Sequence, residues 1–342
     1  MKEERKQYLF SNQDLKRLII PLFIEQFLAI FVGLADSIMV ASVGETAVSA
    51  VSLIDTIMVL LINIFTAFAT GGAIVAGQAL GRRRQEEGCE AVEQTLLFST
   101  IFSVVIMGLV YVGKWWILHV VFGKIEPSVM TNCNTYLLIV TASIPFLAIY
   151  NVGAAMYRAM GDSKTPMKMS LVMNGMNLVG NAILLYGMGF GVEGAAIPTT
   201  ISRAFGGVWM LFCIRKPNHE LYARTLLGIR LKKHVLKKIL HLGIPYSLEN
   251  SMFQLGKILV LSLVSGFGTA SIAANAVANS VCNFAILGGM SMGYALSAVS
   301  AQCVGAGDYE QVRYYTRKIM KLSYAGLFLM NAIIVLALPV IT

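Results

Sequence analysis

LIIPLFIEQFLAIFVGLADSIMVASVGETAVSA, residues Leu18 to Ala50, opens as an apolar run long enough to cross a bilayer, which takes about 20 residues at about 1.5 Å each. Two carboxylates interrupt it, Glu25 and Asp36. At about 100° per residue their separation returns to within roughly 20° of the starting direction, so both acids fall on one helix face. Ionisable side chains inside a membrane are costly, so a pair of acids on one stripe faces protein or water, and the default reading is an ion or proton pathway. The bland alternative is that each acid serves a structural ion pair.

Working outward, 56% of the 342 residues are hydrophobic, 13% are charged, and the mean hydropathy is +0.70. That is too little charge to coat a soluble globule of this size, and the chain reads as an all-α polytopic membrane protein. The net charge of +9 does not indicate nucleic acid, because Lys and Arg are grouped between apolar spans, as in cytoplasmic loops. The five cysteines, Cys89, Cys133, Cys213, Cys282 and Cys303, have no CxxC spacing and imply no disulfide frame. The opening MKEERKQYLFSNQDLKR lacks a signal-peptide cleavage pattern and reads as a cytoplasmic tail.

Apolar windows predict about nine spans, roughly 17–41, 48–76, 93–118, 131–157, 167–188, 194–214, 239–263, 271–301 and 319–341. Apart from Lys114, Lys124, Arg203 and Lys257, all 27 Lys and Arg residues then fall on one side, which orients the N-terminus to the cytoplasm of a cell-membrane protein. The basic connector LLGIRLKKHVLKKILHLG, Leu226 to Gly243, mixes Ile229, Leu231, Leu236, Ile239 and Leu240 with a cationic face, and is expected to lie on the membrane surface.

Sliding the sequence against itself exposes a repeat. At a constant offset of about 224, Leu18, Ile20, Pro21, Glu25, Val40, Gly44, Ala50, Val75, Gln78, Gly81 and Glu86 meet Leu242, Ile244, Pro245, Glu249, Val264, Gly268, Ala274, Val299, Gln302, Gly305 and Glu310. Apolar segments share Leu and Val by chance, but not Pro, Glu, Gly and Gln in register. The unit is six spans long and keeps both copies in one orientation, an arrangement that places a site between two lobes. The expected division is a tail over 1–16, a first lobe over 17–214 with helices 1–6, a basic cytoplasmic connector over 215–238, and an incomplete second lobe over 239–342 with helices 7–9.

Several polar groups fall inside the spans. Asn174, Asn177 and Asn181 form one stripe on the fifth, and could either glue helices together or ligate a cation. The eighth repeats this with Asn275, Asn279 and Asn283, and Asp55 is the repeat partner of Asn279. The sixth carries Pro198, Thr199, Thr200, Ser202 and Arg203; a proline frees a carbonyl that hydroxyls can join around a hard cation, or it is a tolerated kink. The seventh holds Glu249, Asn250, Gln254 and Lys257, where the lysine either neutralises an acid from another helix or competes with a cationic substrate for it. The 18 Met residues offer adaptable apolar surface or plain packing. No HExxH, GxSxG, Walker loop or metal-spaced Cys/His cluster is present, so no enzyme chemistry and no cofactor is implied.

These residues resemble the multidrug and toxic compound extrusion family of cation-coupled antiporters. The resemblance rests on ADSIMVASVGETAVSAV with Asp36, YRAMGDSKTP from Tyr157 to Pro166, GVEGAAIPTTISR, and LGIPYSLENSMF. It implies twelve helices in two six-helix lobes around a central cavity, with proton or sodium entry driving out organic cations and other amphipathic compounds. It implies that Asp36, Asn177 and Thr199 belong to the first-lobe cation site and Glu249 to the second lobe, with Asn250 and Lys257 beside it as coupling or substrate residues. Two departures stand out: Asn181 replaces an Asp common in relatives, leaving the first-lobe site one carboxylate among neutral dipoles, and the chain stops three spans short of the family pattern. Secondary candidates are Glu25, Asp55, Arg203, Asn275 and Asn279. The function expected is drug export by antiport, with no metal beyond the coupling sodium and no nucleic-acid or obligate protein partner. A lipid-linked oligosaccharide flippase would want more buried cations than Arg203 and Lys257, and a membrane receptor would not need the repeat.

Overall fold

The computed structural model of the chain describes residues 8–121, 126–224, 231–265 and 269–341. Lys2, Arg5, Lys6, Lys124, Leu226, Ile229, Arg230, Gly268 and Thr342, named or counted in the expectations above, lie outside the described residues, as do the side chains of Val264 and Ala274. Among the described residues there are ten α-helices and no strand: α1 (Asn12–Ala41), α2 (Glu45–Gly81), α3 (Gln85–Trp116), α4 (Pro127–Thr141), α5 (Ile144–Ala159), α6 (Lys164–Asn181), α7 (Glu193–Ile214), α8 (Lys233–Ser265), α9 (Thr269–Gly305) and α10 (Tyr309–Ile341). Short π-helical turns, Ile117–Val121 and Ala182–Gly187, extend α3 and α6.

By length and composition seven of these helices can cross a membrane, or eight if α4 and α5 count as one span, against the nine expected. The expected span 131–157 is broken: α4 and α5 meet at 49°. Pro145 opens α5 and cannot donate to the turn before it, while the Ser143 hydroxyl donates to the Val140 carbonyl at 2.6 Å. Ser11 caps α1 through a reciprocal capping box with Asp14, so the helix starts at Asn12, ahead of the expected bound at 17.

The helices α1 and α2 correspond to α8 and α9 at the repeat offset, and their packing exchanges accordingly. Helix α1 packs on α9, α8 packs on α2, and α2 packs on α9. A Cβ at Gly81 would lie 2.0 Å from the Gln302 carbonyl oxygen, and one at Gly305 would lie 2.1 Å from the Gln78 oxygen. Gln78 and Gln302 are themselves repeat partners, as are Gly77 and Ala301, which meet each other at this crossing. The turns after α2 and α9 also match bond for bond: Arg82 and Ala306 donate to Gln78 and Gln302, Arg84 and Asp308 to Ala79 and Cys303, and Arg83 (φ 59°) occupies the left-handed position of Gly307 (φ 75°). These are the reciprocal contacts of a two-fold relation within one chain.

The segments entering α1 and α8 cross to the opposite half in the same way. Arg224 and Lys232 are held by the acidic start of α3: Arg224 reaches Glu86 at 3.5 Å, Lys232 reaches Glu90 at 2.9 Å, and their backbone N–H groups donate to Glu93 and Gln94 at 2.8 Å each. At the other end of the chain, Leu9 N–H donates to Gln311 at 2.9 Å, Tyr8 packs on Tyr314 with ring centroids 4.6 Å apart, and Tyr315 bonds both N–H and C=O of Phe10. The described part of the connector is therefore tied to the acidic start of α3. Leu221, Ala223 and Ile239 are buried, and Lys233–Gly243 are the first turns of α8, so the helix begins inside the expected connector 215–238. The acids on α3 supply partners that an amphipathic surface segment would find among headgroups.

Candidate functional site

Helix α1 lies along α6, and α6 along α7, which brings Asp36, Asn177, Asn181 and Thr199 together. The Asn181 amide donates to Asp36 Oδ1 at 2.7 Å. With the Asn177 amide turned so that both its ends are satisfied, its nitrogen donates to Asp36 Oδ1 and Oδ2 at 2.9 Å each and its oxygen accepts from the Thr199 hydroxyl at 2.9 Å. Asn177 is 6% and Asn181 1% exposed, and Asn181 Oδ1 has no hydrogen-bond partner among the described residues. A buried amide oxygen without a donor, beside a carboxylate and a hydroxyl, is the oxygen-rich setting a small hard cation requires.

The site departs from the expectation of a single carboxylate. A cavity of about 100 Å³ is lined by both Asp36 and Asp55, with Tyr136, Asn181 and Thr199, and the Tyr136 hydroxyl donates to Asp55 Oδ1 at 3.4 Å. Tyr136, on α4, went unnoticed in the sequence because one tyrosine in an apolar helix carries no pattern. Arg203, one turn along α7, donates to the Ser143 hydroxyl at 3.3 Å and forms no ion pair among the described residues. The break between α4 and α5 thus supplies a hydrogen-bond partner, Ser143, for the guanidinium. Asn174 turns to Ser170, and Thr200 to the Ile139 carbonyl, so neither joins the cluster.

Asp55 also lines a second, more open cavity of about 390 Å³ between α2, α8 and α9, together with Val59, Leu60, Gln254, Lys257, Asn275 and Asn279. The Lys257 ammonium sits 5.0 Å from the Phe253 ring centre and is not ion-paired among the described residues. The Asn279 amide donates along its own helix to the Asn275 carbonyl at 2.9 Å.

Glu25 and Asp36, on one helix face, meet different neighbours. Glu25 is 6% exposed and pairs with Arg158 of α5 at 3.7 Å, while Arg158 lies 5.0 Å over the Tyr294 ring of α9. Asp36 lies about 16 Å further along the same helix and meets α6. Arg158, expected in a basic loop, is instead a partly buried residue of α5 whose Nε donates to the Ala154 carbonyl. The structural ion-pair alternative describes Glu25. Its repeat partner Glu249 is exposed and forms no ion pair among the described residues, and Asn250 donates to the Tyr246 carbonyl at 3.0 Å. The structure brings neither to the Asp36 cluster. No group of three or more His, Cys, Asp or Glu side chains among the described residues is placed to hold a metal.

The chain and its fold have counterparts among known proteins. The MatE family model matches residues 21–183 and 245–342. The probable multidrug resistance protein YoeA of Bacillus subtilis is 30% identical over 82% of this chain, and the uncharacterized transporter YisQ of the same organism 26% identical over 94%. The chain spans 62% of the length of YoeA and 72% of that of YisQ. A solved MATE structure in complex with MaL6 shares the fold with a TM-score of 0.89 at 22% identity, over 96% of this chain and 73% of that one. With a family model over most of its residues, the chain belongs to the MatE family, the multidrug and toxic compound extrusion family its sequence resembles.

Proposed function

We propose that the chain acts in a secondary antiporter that exports organic cations and other amphipathic compounds in exchange for protons or sodium, with its N-terminus in the cytoplasm, a first lobe over 17–214 and a second lobe beginning near α8. The observation that carries this reading is the position of Asp55, which is wall to both cavities. Asp36 is the coupling carboxylate, with Asn177, Asn181 and Thr199 as its neutral oxygen and amide partners, and the open chamber receives the substrate. A coupling cation entering beside Asp36 neutralises charge next to Asp55 and weakens the hold on a cationic substrate, because two like charges in one poorly solvated site compete for the same counter-charge. Binding of ion and substrate is then mutually exclusive in energy without direct overlap.

Flux tests the proposal. Proteoliposomes holding the protein are loaded with the cationic dye tetramethylrhodamine methyl ester, and efflux is driven by an imposed proton gradient or an imposed sodium gradient. Efflux driven by one of the two gradients and lost in Asp36→Asn is expected. Undiminished gradient-driven efflux in Asp36→Asn removes this residue from coupling, and no gradient-driven efflux in the wild type refutes antiport.

A further inference from the structure

The open chamber carries opposite charges on opposite halves of the repeat. Its first-half wall presents Asp55, and its second-half wall presents Lys257. Neither is ion-paired among the described residues, although each could neutralise the other if they met. The repeat shows how this polarity arises. Lys257 stands at the position of Gly33, where a Cβ would meet nothing within 4 Å, so the first half leaves open space beside its acids where the second half places an ammonium. The partner of Asp55 is Asn279, which lines the same chamber and is neutral. The remaining lining includes Val59 and Leu60, and the volume of about 390 Å³ suits a small organic molecule.

A simple organic cation would find one favourable wall and one repulsive wall in such a chamber. We propose that the preferred substrate class is a zwitterionic amphiphile, whose cationic group faces Asp55, whose carboxylate or other anionic group faces Lys257, and whose apolar body lies against Val59 and Leu60. This rests on the reading of the chamber as the exporter's substrate site. The ammonium disfavours purely cationic compounds by like-charge repulsion and recruits the anionic end, so it sets a preference by attraction and repulsion together.

Tetramethylrhodamine, which carries a free carboxylate, and its methyl ester, which differs only by masking that carboxylate, form a matched pair of probes. Fluorescence anisotropy with the purified protein reads their affinities directly. The wild type is expected to bind the carboxylate form about fivefold more tightly, the scale of one partly solvated ion pair. This preference is expected to fall as ionic strength rises. Lys257→Gln is expected to bring the ratio close to one, Lys257→Arg to keep it, and the distant surface variant Lys321→Gln to leave it unchanged. Asp55→Asn is expected to weaken both dyes. Equal affinities in the wild type, a preference that survives Lys257→Gln, or tighter ester binding in Lys257→Gln with no loss for the carboxylate form overturns the zwitterion proposal alone. The last result makes Lys257 an internal counter-ion that cations displace. Failure of both dyes to bind, or binding indifferent to Asp55→Asn, overturns the chamber reading along with it.

Discussion

Replacing Gly81 or Gly305 with alanine tests the two-fold crossing of α2 and α9. Each new Cβ would sit 2.0 or 2.1 Å from a backbone carbonyl oxygen of the facing helix, about 1 Å closer than real Cβ atoms approach. A backbone oxygen in a helix cannot rotate aside, so the helices must part at this end. Overpacking of this kind costs about 1–3 kcal/mol, offset by the roughly 0.5–1 kcal/mol that alanine gains over glycine in a helix. A net cost near 1.4 kcal/mol raises the population of an opened crossing about tenfold. Cys303, buried on α9 beside Gly305, reports that opening. In a background with Cys89, Cys133, Cys213 and Cys282 replaced by alanine, maleimide should label Cys303 about tenfold faster in either glycine variant. Because the contacts are reciprocal, Gly81→Ala and Gly305→Ala should match each other, while Gly175→Ala, which meets nothing within 4 Å, should not change the rate. Unchanged labelling in both crossing variants would refute the close approach of the two helices.

Breaking the Glu25–Arg158 pair should be costly from either side: Glu25→Gln or Arg158→Gln alone leaves a buried charge and is expected to destabilise by about 3 kcal/mol, while the double variant recovers much of the loss, as read by thermal melting in detergent. Gly180→Ala places a Cβ 2.7 Å from Pro198 Cβ and should push α6 from α7, lowering gradient-driven dye efflux through the displaced Asn181 and Thr199; normal efflux with an unchanged melting temperature would show that the site tolerates the shift. Glu90→Gln removes the solvent-facing bond to Lys232 and is expected to cost less than about 1 kcal/mol, with faster amide exchange at Lys232 as the measurable trace.

The repeat made α8 and α9 predictable from α1 and α2, because Pro, Gly and Gln are scarce enough in apolar helices for their register to carry information. The resemblance named Asp36, Asn177, Asn181 and Thr199, and the structure brings these four together. What could not be read was the side-chain traffic between helices distant in sequence. Periodicity put Glu25 and Asp36 on one face, but the neighbours of α1 change along its length, from α5 and α9 around Glu25 to α6 around Asp36. Arg158 looked like a loop cation because it closes an apolar segment. Its partner lies 133 positions earlier, and no spacing rule links them. The ties of the connector to α3 could not be read, because the acids that hold Arg224 and Lys232 are indistinguishable in sequence from an ordinary charged helix start.

The crossed entry segments set an order of events during synthesis. When Arg224 and Lys232 are made, their partners Glu93 and Gln94, 131 and 138 positions earlier, already exist. Leu9 must wait for Gln311, 302 positions later. The thermodynamic cost of this delay is small, since each doubling of a closed loop adds only about 0.6 kcal/mol. Its kinetic cost is larger, because the start of α1 has no settled neighbour while the helices between are threaded into the bilayer. Two contacts that look equivalent in the finished molecule therefore differ in age, one formed as the chain emerges and the other only once α10 has arrived.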